Sequence, residues 1–301
     1  VFASNSREAC AERALVLIAL GIDAQLTFDA RRYTLRVAPE NAERARAELA
    51  QYELEIERRA RPPEPAASRP ARRPEAWLGC ALYALTLLAV AIAIGRGIGR
   101  LDAFDVGELN GARVQAGQWW RAWTALTLHL DAEHLLANLA GGIWFGYLAA
   151  GELGAGHAWF LGVSAAGAAN LLEALLGPAS HRAVGASTLV FSLLGLLSAH
   201  AWRMRSGLTQ RWALQWAPLV GGLMLLAWTG TGGNDVSQAI AQTGGQVDVV
   251  AHLLGFAAGA LLGWLAALPR LAARVARVPQ WLSGLAAVGW MGIAWGLALH
   301  S

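Results

Sequence analysis

The sequence predicts a polytopic α-helical membrane protein with a small α+β domain at its N-terminal end. Three observations lead there. The 301 residues are 55% hydrophobic and only 15% charged, and mean hydropathy is positive, too apolar for an ordinary soluble chain of this length. The apolar residues gather into seven runs of roughly 17 to 22, the length a helix needs to cross ~30 Å of hydrocarbon. Residues 1–57 instead alternate helical and strand periodicity at mixed polarity.

Taken in order, Val1 to Ala3 reads as a first strand, and Ser4, Asn5 and Ser6 offer caps for an apolar helix over 7–20. Ala24, Leu26 and Phe28 share one strand face, and Tyr33, Leu35 and Val37 share another, with a turn near Asp29 to Arg31. A hairpin is expected. Pro39 and Asn41 then open a charged helix over 42–56, so the order is βαββα, a cytosolic accessory domain over 1–57. Residues 58–75, RRARPPEPAASRPARRPE, carry the prolines and charges of an extended linker.

Membrane spans are expected at 76–95, 134–150, 157–176, 185–202, 212–230, 249–268 and 281–299. Glycines within them (Gly141, Gly142, Gly162, Gly195, Gly255, Gly259) favour close helix packing. The first long apolar run begins only at Ala76, so no cleavable signal peptide is expected. Cys10 and Cys80 are too few and too scattered for a disulfide framework or a metal site, and no cofactor is implied. The net charge of +3 does not point to nucleic acid, because the arginines sit at span ends. Arg58, Arg59, Arg61, Arg69, Arg72 and Arg73, then Arg203, Arg205 and Arg211, then Arg270, Arg274 and Arg277 mark the cytoplasmic side. The N-terminus is then cytoplasmic and the C-terminus outside. The loop over 96–133 holds GQWWRAWTALTLHL, whose Trp119, Trp120 and Trp123 suit the lipid interface of the outer leaflet.

Polar groups inside apolar spans are the candidates for chemistry, since burying them costs free energy that a partner or a function must offset. The second span opens with His134 and carries Asn138 on the same face. The fourth carries Ser187 and the sixth His252. Alternate spans run in the same direction, so all three groups should lie at one depth near the outer surface. His252 shares a face with Gly255 and Gly259, and Gly185 and Gly195 give the fourth span a matching smooth strip. If the strips meet, Ser187 gains the base that a weak hydroxyl nucleophile needs. His134, Asn138 and backbone amides near Ser187 could then face the carbonyl oxygen as it gains charge.

The motif order WR, HxxxxHxxxN, GxSx and a glycine-flanked histidine resembles the rhomboid intramembrane proteases over roughly 76–268. The residues are Trp120 and Arg121; His129, His134 and Asn138; Gly185, Ser187 and Thr188; and His252, Gly255 and Gly259. The resemblance implies a rhomboid-like six-helix core over 76–268 with a Ser187–His252 catalytic dyad, and an oxyanion hole of His134, Asn138 and the Ser187 amide. Glu152 matches a structural glutamate, and residues 269–301 resemble the extra seventh helix of a 6+1 subgroup from bacterial inner membranes. Substrates would be single-span membrane proteins in lipid. Phe191 stands where many rhomboids have tyrosine, keeping a ring against His252 without its hydroxyl. Asp248, one turn before His252, could orient the imidazole. Other readings of the same residues are an inactive rhomboid-like binder of membrane proteins and a solute transporter lined by Glu173, His134 and His252. A metalloprotease lacks the HExxH pattern. A polar, glycine-rich loop over 231–247 is expected to cap the site. The sequence assigns no oligomeric state.

Overall fold

A computed structural model describes residues 1–29, 31–60, 75–97, 102–205, 212–230 and 248–301, and the chain divides into two compact units, Val1–Arg69 and Pro70–Ser301. Most of the expected linker, the expected cap over 231–247, and Arg211 lie outside the described residues.

In the first unit β1 (Phe2–Ser4), α1 (Arg7–Ala19), β2 (Ala24–Asp29), β3 (Arg32–Val37) and α2 (Ala42–Ala60) follow one another. The sheet is antiparallel in the order β1-β3-β2, with Ala24, Leu26 and Phe28 opposite Val37, Leu35 and Tyr33. Ser6 caps α1 by accepting from the Ala9 amide at 3.2 Å. The sheet and both helices close over Leu17, Ile22, Leu35, Ala45 and Leu49. Helix α2 runs past residue 57 into the segment expected to be extended. Glu57, Arg58, Arg59 and Ala60 are sound helix formers and carry the helix on to Ala60.

The second unit is helical. Its long helices are α3 (Ala76–Gly95), α7 (Ala132–Leu153), α8 (Ala155–Leu176), α9 (Ser187–Arg205), α10 (Trp212–Gly230), α11 (Val249–Ala266) and α13 (Gln280–Leu299). Short helices α4 (Ala103–Gly107), α5 (Gly111–Gln115) and α6 (Arg121–Thr124) fold the first loop, and α12 (Pro269–Val275) joins α11 to α13. Strands β4 (Leu109–Asn110) and β5 (Arg182–Ala183) pair across two loops. Among the described residues, α3, α8, α11 and α13 are long and apolar enough to span a bilayer by length and composition alone. Helix α7 falls short of that measure because it carries Glu133, His134, Asn138 and Glu152, and α9 because it carries Ser187, Ser192, Ser198, Arg203 and Arg205. Of the two, α9 is packed centrally, touching α7, α8, α10 and α11. Polar spans belong inside a bundle. The outer helices instead expose Leu78, Leu85, Leu285 and Ile293, apolar surface that lipid covers without cost.

The aromatic loop is more deeply packed than interfacial rings would be. Trp123 is buried against Gly167 of α8, and Trp290 of the seventh span lies 6.0 Å from Trp119 and 5.4 Å from Trp123, centroid to centroid. A neighbouring helix takes the place expected for headgroups. Trp120 packs edge-on against Trp119. Arg121 is buried at the centre of this loop, its guanidinium donating to Gln118 Oε1 at 2.6 Å, the Glu108 carbonyl at 3.0 Å and the Asp105 carbonyl at 2.8 Å. The rigid fork ties the Asp105–Glu108 stretch to Gln118. Arg121→Ala orphans the Glu108 carbonyl and leaves the Asp105 carbonyl to Arg113 Nη1 alone, and is expected to lower unfolding stability by about 2 kcal/mol, measured by thermal unfolding in detergent. Arg121→Lys, a point charge, should recover little of it, and an unchanged Tm in either variant would assign the loop's order to its tryptophans instead.

Candidate active site

The close packing of α9 on α11 sets the site. A Cβ on Gly255 would lie 2.7 Å from the Thr188 carbonyl, while Cβ atoms on Gly259 and Gly263 would overlap the backbone of Ser192 and Leu196 outright. From the other side, a Cβ on Gly195 would overlap the Phe256 carbonyl. Only glycine allows backbones this close. The contact aligns the first turns of the two helices, which carry Ser187 and Thr188 on one and His252 on the other. The Phe191 ring stands 4.4 Å from the His252 ring, tilted by 41°, and both residues are buried.

Ser187 is the first residue of α9, so its amide has no acceptor within the helix. It follows Gly185, whose φ of +129° is a conformation that side chains disfavour. Space adds a second constraint, since a Cβ there would meet His134 Cε1 at 2.6 Å. The turn is held from behind by the Gly185 amide donating to the Ala125 carbonyl at 2.9 Å and the Ala186 amide donating to His129 Nε2 at 3.4 Å. Burial, with the neighbouring His134, lowers the His129 pKa to about 4, so the ring is neutral at pH 7 and can accept. The two rings lie 5.1 Å apart.

His134 is the third residue of α7, which Asp131 caps by accepting from the His134 amide at 2.7 Å. Asn138, one turn on, is buried; its carbonyl accepts from Tyr83 Oη at 2.8 Å. Its side-chain Nδ2 has no hydrogen-bond partner among the described residues and sits near Gly185. A buried amide donor left unpaired costs about 1 to 3 kcal/mol. A cavity of about 20 Å³ beside Ser187 is lined by Ala125, Asn170, Gly185, Asp248 and Ala251 among others. That volume holds a water molecule.

Ser187, Gly185, His129, His134 and Asn138 therefore gather at one end of the bundle, where Phe191 and His252 meet. Trp120 and Arg121 stand apart in the loop, and Glu152 is exposed near the opposite end of α7, close enough to act electrostatically on His200. Asp248 is directed differently from the sequence reading: Oδ1 caps α11 through the Ala251 amide at 3.0 Å, and Oδ2 lies 3.2 Å from His181 Nε2. Asp248 raises the pKa of His181 against the opposing effect of burial. Burial alone would raise the Asp248 carboxyl, but His181 and the Ala251 amide bring it below its usual range. Two site residues escaped the sequence reading. Asn170, which donates to the Ala122 carbonyl at 2.9 Å, is polar in the middle of an apolar span and was open to the same reasoning as Asn138. His181 lies in a loop and carries no periodic signal.

Residues 116–269, more than half of the chain, match the family model described as Rhomboid domain. A comparison with curated proteins finds no match.

Proposed function

The chain belongs to the rhomboid family, is integral to a membrane, and on that premise we propose that it is an intramembrane serine endopeptidase acting on single-span membrane proteins. The observation that carries the reading is the glycine-only contact of α9 and α11, which aligns Ser187 with the turn bearing His252 while His134 and Asn138 close over Gly185. The Ser187 hydroxyl attacks the scissile carbonyl and passes its proton to His252. The carbonyl oxygen gains charge beside the free amide of Ser187, the unpaired Asn138 Nδ2 and His134, which serve as its oxyanion hole. His252 returns the proton to the leaving amine. Water from the neighbouring cavity then gives its proton to His252 and hydrolyses the acyl-enzyme. Phe191 supports the His252 ring, and Gly185 is the one residue that lets His134 approach. The arginine bias supports an inner-membrane orientation with a cytoplasmic 1–57 domain and the site near the outer face. Residues 76–268 form the catalytic core and 269–301 an added helix.

Cleavage of a labelled single-span substrate by purified protein in liposomes tests the reading. In that assay Asn138→Ala is expected to lower kcat about 10²-fold with little change in KM, because the donor acts on charge that develops after binding. A KM effect alone would move Asn138 from the oxyanion hole to substrate binding.

A further inference from the structure

Glu173, His181 and Asp248 converge from the end of α8, the following loop and the residue capping α11. Their ligand atoms all lie within 4.8 Å of one another. His181 Nε2 is 3.7 Å from Glu173 Oε2 and 3.2 Å from Asp248 Oδ2. All three atoms are buried, and none has a hydrogen-bond partner among the described residues. Glu173 is the decisive member. Its side chain is only 6% exposed, and its unpaired Oε2 points into the cluster. Two carboxylates drawn together in a poorly solvated place repel each other, and one imidazole satisfies neither well. A bound cation would satisfy both.

The spacing is that of metal ligands. Around a tetrahedral ion with bonds of ~2.1 Å, neighbouring donors stand about 3.4 Å apart, midway between the two distances here. One imidazole with two carboxylates is a donor set for zinc or a similar transition ion, whereas calcium and magnesium take oxygen alone. We propose that Glu173, His181 and Asp248 form a divalent-metal site of the zinc class, with water in the fourth position. The site is separate from the hydrolytic step assigned to Ser187.

The scaffold is built for such a staple. The His181 carbonyl accepts from the Gly111 amide at 2.9 Å, and its own amide donates to the Pro178 carbonyl at 2.9 Å. Arg182 pairs with Glu108 at 2.8 Å, and β4 pairs with β5. On the other side Asp248 offers Oδ2 while Oδ1 caps α11, four residues before His252. An ion here ties α8 and its loop to the start of the helix that carries the proposed base.

Full-length Ser187→Ala protein, stripped with chelator in detergent and dialysed against Zn²⁺, provides the test, since binding is read without any cleavage and its failure leaves the protease reading untouched. One Zn²⁺ per chain is expected, with Co²⁺ giving the visible absorption of a four-coordinate site. Saturation should raise Tm by about 5 °C. Glu173→Gln and His181→Gln should each weaken binding by more than about 100-fold, exceeding what second-shell changes cause. Stoichiometry in the parent protein does not depend on how the variants fold. Absence of saturable binding there, or zinc bound equally by both variants, overturns the proposal.

Discussion

Ser187→Ala and His252→Ala are each expected to abolish cleavage of a single-span substrate in liposomes, by a factor on the order of 10⁴ or more. The size follows from the division of labour in acyl transfer. Without the hydroxyl no acyl-enzyme forms, and without the imidazole the hydroxyl is a poor nucleophile with no route for its proton. The two losses should not add, because the groups act as one unit, so the double variant should be no slower than either single one. The protease reading separates from its rivals in the same experiment. An inactive family member would leave wild type as silent as Ser187→Ala across a panel of helix-destabilised substrates. A transporter would carry solute unchanged after Ser187→Ala, a result that would falsify the assignment of Ser187 as the central group. Phe191 gives a finer control: it supplies the ring packed on His252, so Phe191→Leu should slow cleavage without eliminating it.

The parts of this protein written in periodicity were the most legible. The alternation Ala24, Leu26, Phe28 against Tyr33, Leu35, Val37 set the register of the hairpin, and the apolar runs marked all seven long helices to within a few residues at most ends. The ends moved where a single polar contact decided them. Asp131 caps α7 three residues before His134, and the good helix formers after Ile56 carry α2 to Ala60. Alternate spans share a direction, and His134 lies against Gly185, two residues before Ser187. Tertiary choices were not legible. Trp123 has the composition of an interfacial ring, and only the position of α13 shows that a helix buries it. Asp248 sits one helical turn from His252, so spacing pointed it there; its partner His181 comes from a loop about seventy residues earlier, which no local pattern reports.

Gly259→Ala is expected to slow cleavage by about 10²-fold, although the residue touches no substrate. Its new Cβ would overlap the Ser192 backbone, which cannot yield as a flexible side chain can, so α11 must move away from α9. Overpacking of this kind costs about 1 to 3 kcal/mol. The functional loss should exceed what that destabilisation implies. Ser187 and His252 are carried on the two helices being pried apart, and a displacement of about 1 Å between reacting groups can cost about 10²-fold in rate. The control lies in the same protein: a Cβ on Gly292 of α13 meets nothing within 4 Å. Gly292→Ala should leave cleavage unchanged and Tm equal or slightly higher, alanine being the better helix former. Thermal unfolding and kcat measured together decide the matter. If Gly259→Ala behaved like Gly292→Ala, the α9–α11 contact would not be what aligns the site, and the alignment would have to come from the His134 side, where Gly185→Ala should then produce the larger loss.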